Sequence, residues 1–163
     1  MKMKSGFTLV ELLLYIVIVA LVSGLIAQTL ISITLAQQKI EVRKIVDENL
    51  DFALKKIESE IKKSQEAAVN ESGDILTLVL KDASIVEFFV DESGILQKKV
   101  EEVDYPITSD KVIVSASNAY LFSKIEHLGV KPTIRLMIKI RYKSDDPKLS
   151  SVEIKAQTTV SLR

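Results

Sequence analysis

The chain has 163 residues, which is enough for one folded domain of ordinary size but not for two. Its 22 basic and 22 acidic residues cancel, so the charge balance predicts no direct binding of nucleic acid. It contains no cysteine and one histidine, which excludes disulfides, zinc–thiolate sites and clusters of histidine ligands. We therefore expect no catalytic residues, no metal, no cofactor and no enzymatic activity.

A short basic segment precedes a long apolar one at the N-terminus. Residues 1–6 carry two lysines and no acidic residue, which is typical of a cytoplasmic flank. Residues 7–27 contain one charged residue, Glu11, and at about 1.5 Å per residue they are long enough to cross the apolar core of a bilayer, about 30 Å thick. We therefore predict a single membrane-spanning helix with a cytoplasmic N-terminus and an extracytoplasmic C-terminal part.

Two ordinary interpretations of this segment fit less well. A cleavable secretory signal has an apolar stretch of only about 7–15 residues, which is shorter than the stretch found here. An uncleaved signal anchor has the right length, but it accounts neither for the residues around Gly6 nor for Glu11. An ionisable residue at the centre of a membrane helix costs about 2.5–3.5 kcal/mol, so Glu11 requires a cationic partner or a position at the membrane surface.

The sequence from Ser5 to Glu11, SGFTLVE, resembles the processing motif of type IV pilins and type II secretion pseudopilins. The resemblance implies that a prepilin peptidase cleaves between Gly6 and Phe7 and then methylates the new amino group of Phe7, while the apolar helix stays on the chain. It also implies that Glu11 meets the N-terminal amine of a neighbouring subunit in a fibre. Snorkelling of Glu11 to the membrane surface remains the alternative.

The helix is predicted to continue beyond the membrane, because no glycine or proline lies between Gly24 and Gly73. From Ile40 to Ile61 apolar residues recur every three to five positions, with charges of both signs between them. This pattern is typical of an amphipathic helix with one solvated face. We therefore assign residues 28–70 to an amphipathic continuation of the helix, with a coiled coil as the alternative for this part.

After Gly73 the pattern changes to short strands separated by turns. The sequence predicts a meander of strands at 75–80, 85–90 and 95–100, shorter strands within 112–114 and 119–125, and an antiparallel pair at 134–142 and 152–162. Apolar and polar residues alternate in the last pair, so its apolar side should cover the helix. Residues 71–163 are thus expected to form an antiparallel β-sheet domain, and the fold class is α+β.

One long helix followed by antiparallel strands resembles pilins and pseudopilins over the whole chain, and the strand region is most similar to J-type minor pseudopilins and W-type minor pilins. The absence of a cysteine pair, and Gln28 in place of a helix-kinking proline, favour a minor subunit over a major pilin. The resemblance implies an assembly-initiating subunit of a type IV pilus, a competence pilus or a secretion pseudopilus. It would lie first in the cytoplasmic membrane and then in the fibre.

The partners that the resemblance implies are prepilin peptidase, an assembly platform protein, the membrane, and other pilin subunits that contact the N-terminal helix. A major pilin, and a signal-anchored extracytoplasmic domain unrelated to pili, remain alternative interpretations of the same sequence.

Overall fold

The computed structural model describes residues 8–127 and 130–162, and the chain divides into one compact unit up to Ile40 and another from Glu41 onwards. Helix α1 runs from Leu9 to Lys63, so its first part belongs to the first unit and its second part to the second. All described strands belong to the second unit. The predicted cleavage junction, Gly6 and Phe7, lies outside the described residues.

Helix α1 ends earlier than the sequence pattern indicates. The prediction of helix up to residue 70 is wrong for β1 (Ser64–Val69), which pairs antiparallel with β2 (Leu76–Leu80). The hydroxyl of the buried Ser64 donates a 2.7 Å hydrogen bond to the carbonyl of Ile61 at the end of the helix. Residues 65–68 are glutamine, glutamate and alanine, which favour helix locally, so strand pairing overrides local propensity here.

Sheet A has five strands, and each strand pairs antiparallel with the next one along the chain. After β1 and β2 these strands are β3 (Ile85–Val90), β4 (Leu96–Val100) and β5 (Val103–Pro106). The predicted meander is confirmed for β2, β3 and β4. Strand β5 follows a two-residue turn whose residues, Glu101 and Glu102, have φ values of 49° and 69°. Such turns normally contain glycine or asparagine, so the sequence pattern does not indicate a hairpin there.

Sheet B is built around one long strand, β8 (Val130–Tyr142). Strands β6 (Val112–Ala116) and β7 (Phe122–His127) pair with successive parts of β8, and β9 (Glu153–Ser161) pairs with residues 133–141. Because β9 overlaps both pairings, β6 and β7 follow each other along one edge of β8, and β9 lies at the other edge. The predicted antiparallel pair is confirmed, and its connection contains a short helix, α2 (Pro147–Ser150), capped by Asp146.

One hydrophobic core holds the second unit together. It combines a stripe of α1 with the inner faces of both sheets, and it includes Val46, Leu50, Ala53, Ile57, Ile61, Leu76, Leu78, Val86, Phe88, Leu96, Ile134, Leu136, Ile138 and Ile140. Each fully buried valine, leucine, isoleucine or phenylalanine side chain stabilises the fold by about 1.5–3 kcal/mol relative to exposure. The predicted amphipathic stripe is confirmed, and in the described structure its partners are the two sheets.

Two turns of sheet A bring it against sheet B. Gly94, in the turn between β3 and β4, has a φ of +79°, and its carbonyl accepts a 2.8 Å hydrogen bond from the N–H of Val114. The carbonyl of Gly73, in the turn between β1 and β2, accepts bonds from the N–H groups of Leu121 and Phe122. A Cβ on Gly94 would lie 2.8 Å from Cγ2 of Ile113, so glycine is needed there both for its conformation and for the close approach of the sheets.

A buried ion pair also joins α1 to sheet A. Glu60 is 5% exposed, and its Oε1 lies 2.9 Å from Nζ of Lys98 on β4 and 3.8 Å from Nζ of Lys56. Burial acts to raise the pKa of Glu60, but the hydrogen bond and charge of Lys98, together with the charges of Lys63 and Lys56, hold that pKa below its usual value. Glu60 therefore stays ionised at neutral pH and holds Lys98 against the helix.

Replacing Glu60 with glutamine should destabilise the second unit by about 2–3 kcal/mol, because Lys98 then loses its charged acceptor in a largely buried position. The measurement is thermal unfolding of the full chain in detergent micelles, followed by circular dichroism at neutral pH. The matched control is Glu58→Gln, which removes an exposed pair with Lys62 and should cost at most about 1 kcal/mol.

The stability difference between the natural chain and Glu60→Gln should also depend on pH. The pKa of Glu60 is lower in the folded than in the unfolded chain, so its stabilising effect is fully present above the unfolded value of about 4.5 and is lost as the pH falls through the folded value. The stability difference between the natural chain and Glu60→Gln should therefore shrink below about pH 4.5. A difference that grows on acidification would contradict the ion pair.

Candidate functional site

Helix α1 begins with a turn that is capped by Thr8. The Oγ1 of Thr8 accepts a 3.3 Å hydrogen bond from the N–H of Glu11, and the carbonyl of Thr8 accepts a 3.1 Å bond from the N–H of Leu12. Thr8 is therefore the N-cap residue, and Glu11 is the third residue of the helix, which is the spacing of a capping box. No prediction from the sequence covers Thr8, although its Thr-x-x-Glu spacing to Glu11 is a signal that indicates this cap.

The side chain of Glu11 lies exposed in the first turn of α1. A negative charge at this end of a helix is favoured by the helix dipole by about 0.3–1 kcal/mol. Within residues 8–127 and 130–162 the carboxylate takes part in no hydrogen bond or ion pair. Glu11 therefore presents its charge outward from the apolar helix, where an additional cation can reach it.

Apolar side chains of α1 are exposed around the whole helix from Leu9 to Leu35. Their exposed fractions range from 43% at Val19 to 74% at Leu9. The helix contains a segment that is long and apolar enough to cross a membrane, and none of that segment is buried inside the described structure. A continuous apolar surface of this size is unfavourable in water, so it requires lipid or another apolar surface to cover it.

The apolar surface extends beyond the predicted span of residues 7–27. No charged residue lies between Glu11 and Lys39. Three hydroxyl residues, Thr29, Ser32 and Thr34, lie in the last part of this stretch, and each donates a hydrogen bond of 2.8–3.0 Å to the carbonyl four residues earlier. Because these bonds satisfy the hydroxyl donors without water, they suit a helix in an apolar environment.

The comparison with known proteins agrees with this geometry. Residues 1–27, which include Gly6, Phe7 and Glu11, match the family model of the prokaryotic N-terminal methylation motif. This match supports a relation of the chain to type IV pilins and pseudopilins. No curated protein and no solved structure gives a significant match, so the similarity to J-type and W-type minor subunits stays a prediction.

The pilin-type motif belongs to a family of structural proteins, not of catalysts. Among residues 8–127 and 130–162, no group of three or more histidine, cysteine, aspartate or glutamate side chains is placed to hold a metal ion. A surface cavity of about 450 Å³ is lined by Phe52, Tyr105, Lys56 and Lys98 among others, and contains neither a histidine nor a carboxylate.

Replacing Thr8 with valine should loosen the start of α1 by about 1 kcal/mol, because valine has nearly the same shape but cannot accept the bond from Glu11. The measurement is hydrogen exchange of the Glu11 amide in the full chain in micelles, which should become about fivefold faster. Thr8→Ser keeps the hydroxyl and is the matched control. Unchanged exchange in the valine variant would contradict the cap.

Proposed function

We propose that this pilin-type protein is a minor subunit that helps to initiate a type IV pilus, a competence pilus or a secretion pseudopilus. The observation that most directly supports this proposal is the methylation motif at residues 1–27. It is followed by a helix whose apolar surface is exposed in the described structure. A cut between Gly6 and Phe7 removes only the leader. The apolar helix is retained, first as a membrane anchor and then as an assembly element.

The proposed orientation follows from the charges of the leader. Lys2 and Lys4 keep the N-terminus in the cytoplasm, where prepilin peptidase cleaves after Gly6 and methylates Phe7. The unit from Glu41 onwards, which contains both sheets, then lies outside the membrane. Assembly transfers α1 from lipid to the helices of other subunits, with an assembly platform protein as the partner in the membrane.

Glu11 is proposed to guide this transfer by pairing with an N-terminal amine. In lipid, apolar helices gain little hydrophobic free energy from touching each other, so a polar pair can decide which helices associate. The backbone N–H of Glu11 already donates to Oγ1 of Thr8, while its carboxylate remains exposed to accept from the amine of Phe7 on a neighbouring subunit. A charge-assisted hydrogen bond is stronger in an apolar environment than in water.

The assignment to a minor subunit is supported by two features of the chain. It has no cysteine pair to close a C-terminal loop. Helix α1 also passes Gln28 without interruption, at the position where many major pilins have a proline.

The mature protein from its native host should begin at Phe7 and carry one additional methyl group on its amine. Mass spectrometry of the N-terminal peptide measures both changes. Gly6→Val should leave the precursor uncut, because the small residue before the junction is part of the motif, whereas the control Ser5→Ala should be processed normally. A natural chain that retains Met1 would contradict the proposal and favour a signal-anchored domain.

Glu11→Val should insert and be cleaved like the natural chain, because valine lowers the cost of membrane insertion. Its amount in sheared fibres should fall by about tenfold or more, since the pair with the N-terminal amine is lost. Leu12→Val, a change of apolar side chain in the same turn, is the matched control. Normal incorporation of Glu11→Val would refute the charge pair and leave snorkelling as the role of Glu11.

A further inference from the structure

Charge is divided unevenly between the two sheets of the second unit, although the whole chain is neutral. Residues 64–110, which form sheet A and its turns, contain eleven acidic and three basic residues. Residues 111–163, which form sheet B, contain four acidic and ten basic residues. The unit therefore carries regions of opposite charge.

Sheet B presents a basic face made of Arg135, Lys139, Arg141 and Lys155. The residues that alternate with them on β8, such as Leu136, Ile138 and Ile140, are buried in the core, so the basic side chains lie on the outer side of the sheet. Lys139 is directly opposite Lys155 in the pairing of β8 with β9. Like charges directly opposite each other are destabilising, so the Lys139–Lys155 pair lowers the stability of sheet B in a single copy.

The basic face has few acceptors of its own. Glu153 lies opposite Arg141, and its Oε1 is 3.5 Å from Nζ of Lys155 in an exposed pair. Within residues 8–127 and 130–162, Arg135, Lys139 and Arg141 form no ion pair, and Nε of Arg135 is buried without a hydrogen-bond partner. An anionic group from outside this copy would supply the acceptors that the face lacks.

Sheet A presents the opposite charge at an acidic turn, formed by Glu101 and Glu102 between β4 and β5. Both residues are exposed, and both have positive φ, which costs about 1–3 kcal/mol for each residue other than glycine. In the described structure neither carboxylate forms an ion pair. Since turns of a meander alternate between its two ends, this turn lies at the end away from Gly73 and Gly94, which contact sheet B.

We propose that the basic face of one copy binds the acidic turn of a second copy. Two different surfaces meet in this contact, so it is heterologous and leaves the second surface of each copy available to a further copy. Each surface keeps unfavourable like charges together in the single copy, and each gains opposite charges in the contact. Nucleic acid matches the face less well, because the outer positions of β8 and β9 from 133 to 161 contain no aromatic residue for base stacking.

The proposed contact rests on the proposed fibre function, because that function brings copies of the chain together. The contact itself uses only residues of the second unit. It does not require the cut at Phe7. The same membranes can therefore be analysed for cross-linking, which tests the contact, and for cleavage before Phe7, which tests the proposed function.

Cross-linking through introduced cysteines tests the contact, because the natural chain contains no cysteine. Full-length Lys139→Cys and Glu102→Cys chains are produced in host membranes and treated with a short bis-maleimide. The two variants should cross-link when they are expressed together and not when either is expressed alone. A chain with both substitutions should give a ladder of dimers, trimers and larger species.

Lys44→Cys is the matched control for Lys139→Cys, because Lys44 is an exposed lysine of α1 outside the basic face. Its cross-linking to Glu102→Cys should be at least about tenfold weaker. Raising the salt concentration from about 0.01 M to about 1 M shortens the Debye length from about 30 Å to about 3 Å, and should lower the cross-linked fraction of the Lys139 pair several-fold. Lys155→Glu in the Lys139→Cys chain should lower it as well.

Three other outcomes of the cross-linking experiment would each support or overturn the proposed contact. Dimers of Lys139→Cys alone would show that the face binds itself and would overturn the head-to-tail contact. Chains that are cut at Phe7 but do not cross-link would also overturn it, while leaving the proposed function intact. A salt-sensitive ladder on chains that retain Met1 would support the contact and refute the proposed processing.

Discussion

The exposed apolar surface of the first part of α1 is the constraint on which the rest of this protein depends. The side chains from Leu9 to Leu35 are not covered by the chain itself, and burial of each large one is worth about 1.5–3 kcal/mol. Lipid satisfies this need in the membrane, and in a fibre only other helices can do so. Because exchange of lipid for helices is nearly neutral for apolar groups, the single carboxylate of Glu11 is proposed to decide which helices associate.

The second unit, by contrast, buries much of its apolar surface in a core of its own. The stripe of α1 from Val46 to Ile61 is buried against both sheets. Two polar contacts reinforce this packing. Glu60 forms an ion pair with Lys98, and Oδ1 of Asn49 accepts a 2.8 Å hydrogen bond from the N–H of Ser109. A unit that folds around its own core can use its surface charges for contacts between subunits, as the basic face and the acidic turn are proposed to do.

The sequence predicts the parts of this structure that depend on periodicity or on a local motif. Alternation identifies the pairing of β8 with β9, and the Gly6–Glu11 motif identifies the N-terminal segment. The end of α1 could not be predicted, because Gln65 to Ala68 favour helix locally and become a strand only by pairing with β2. Strand β5 could not be predicted either, because its turn uses two glutamates where the pattern calls for glycine. The order of strands around β8 depends on contacts across the sheet that no local pattern encodes.

The most direct test of this account is a scan of single cysteines along α1 in native membranes, using a maleimide that cannot enter lipid. The natural chain contributes no cysteine to the background. The account predicts that positions from Leu13 to Leu30 remain unlabelled on every side of the helix, whereas exposed positions of the second part, such as Lys44 and Lys55, are labelled readily. Labelling of the positions between Leu13 and Leu30 would show that water reaches this surface, and would contradict its role as a retained membrane and assembly helix.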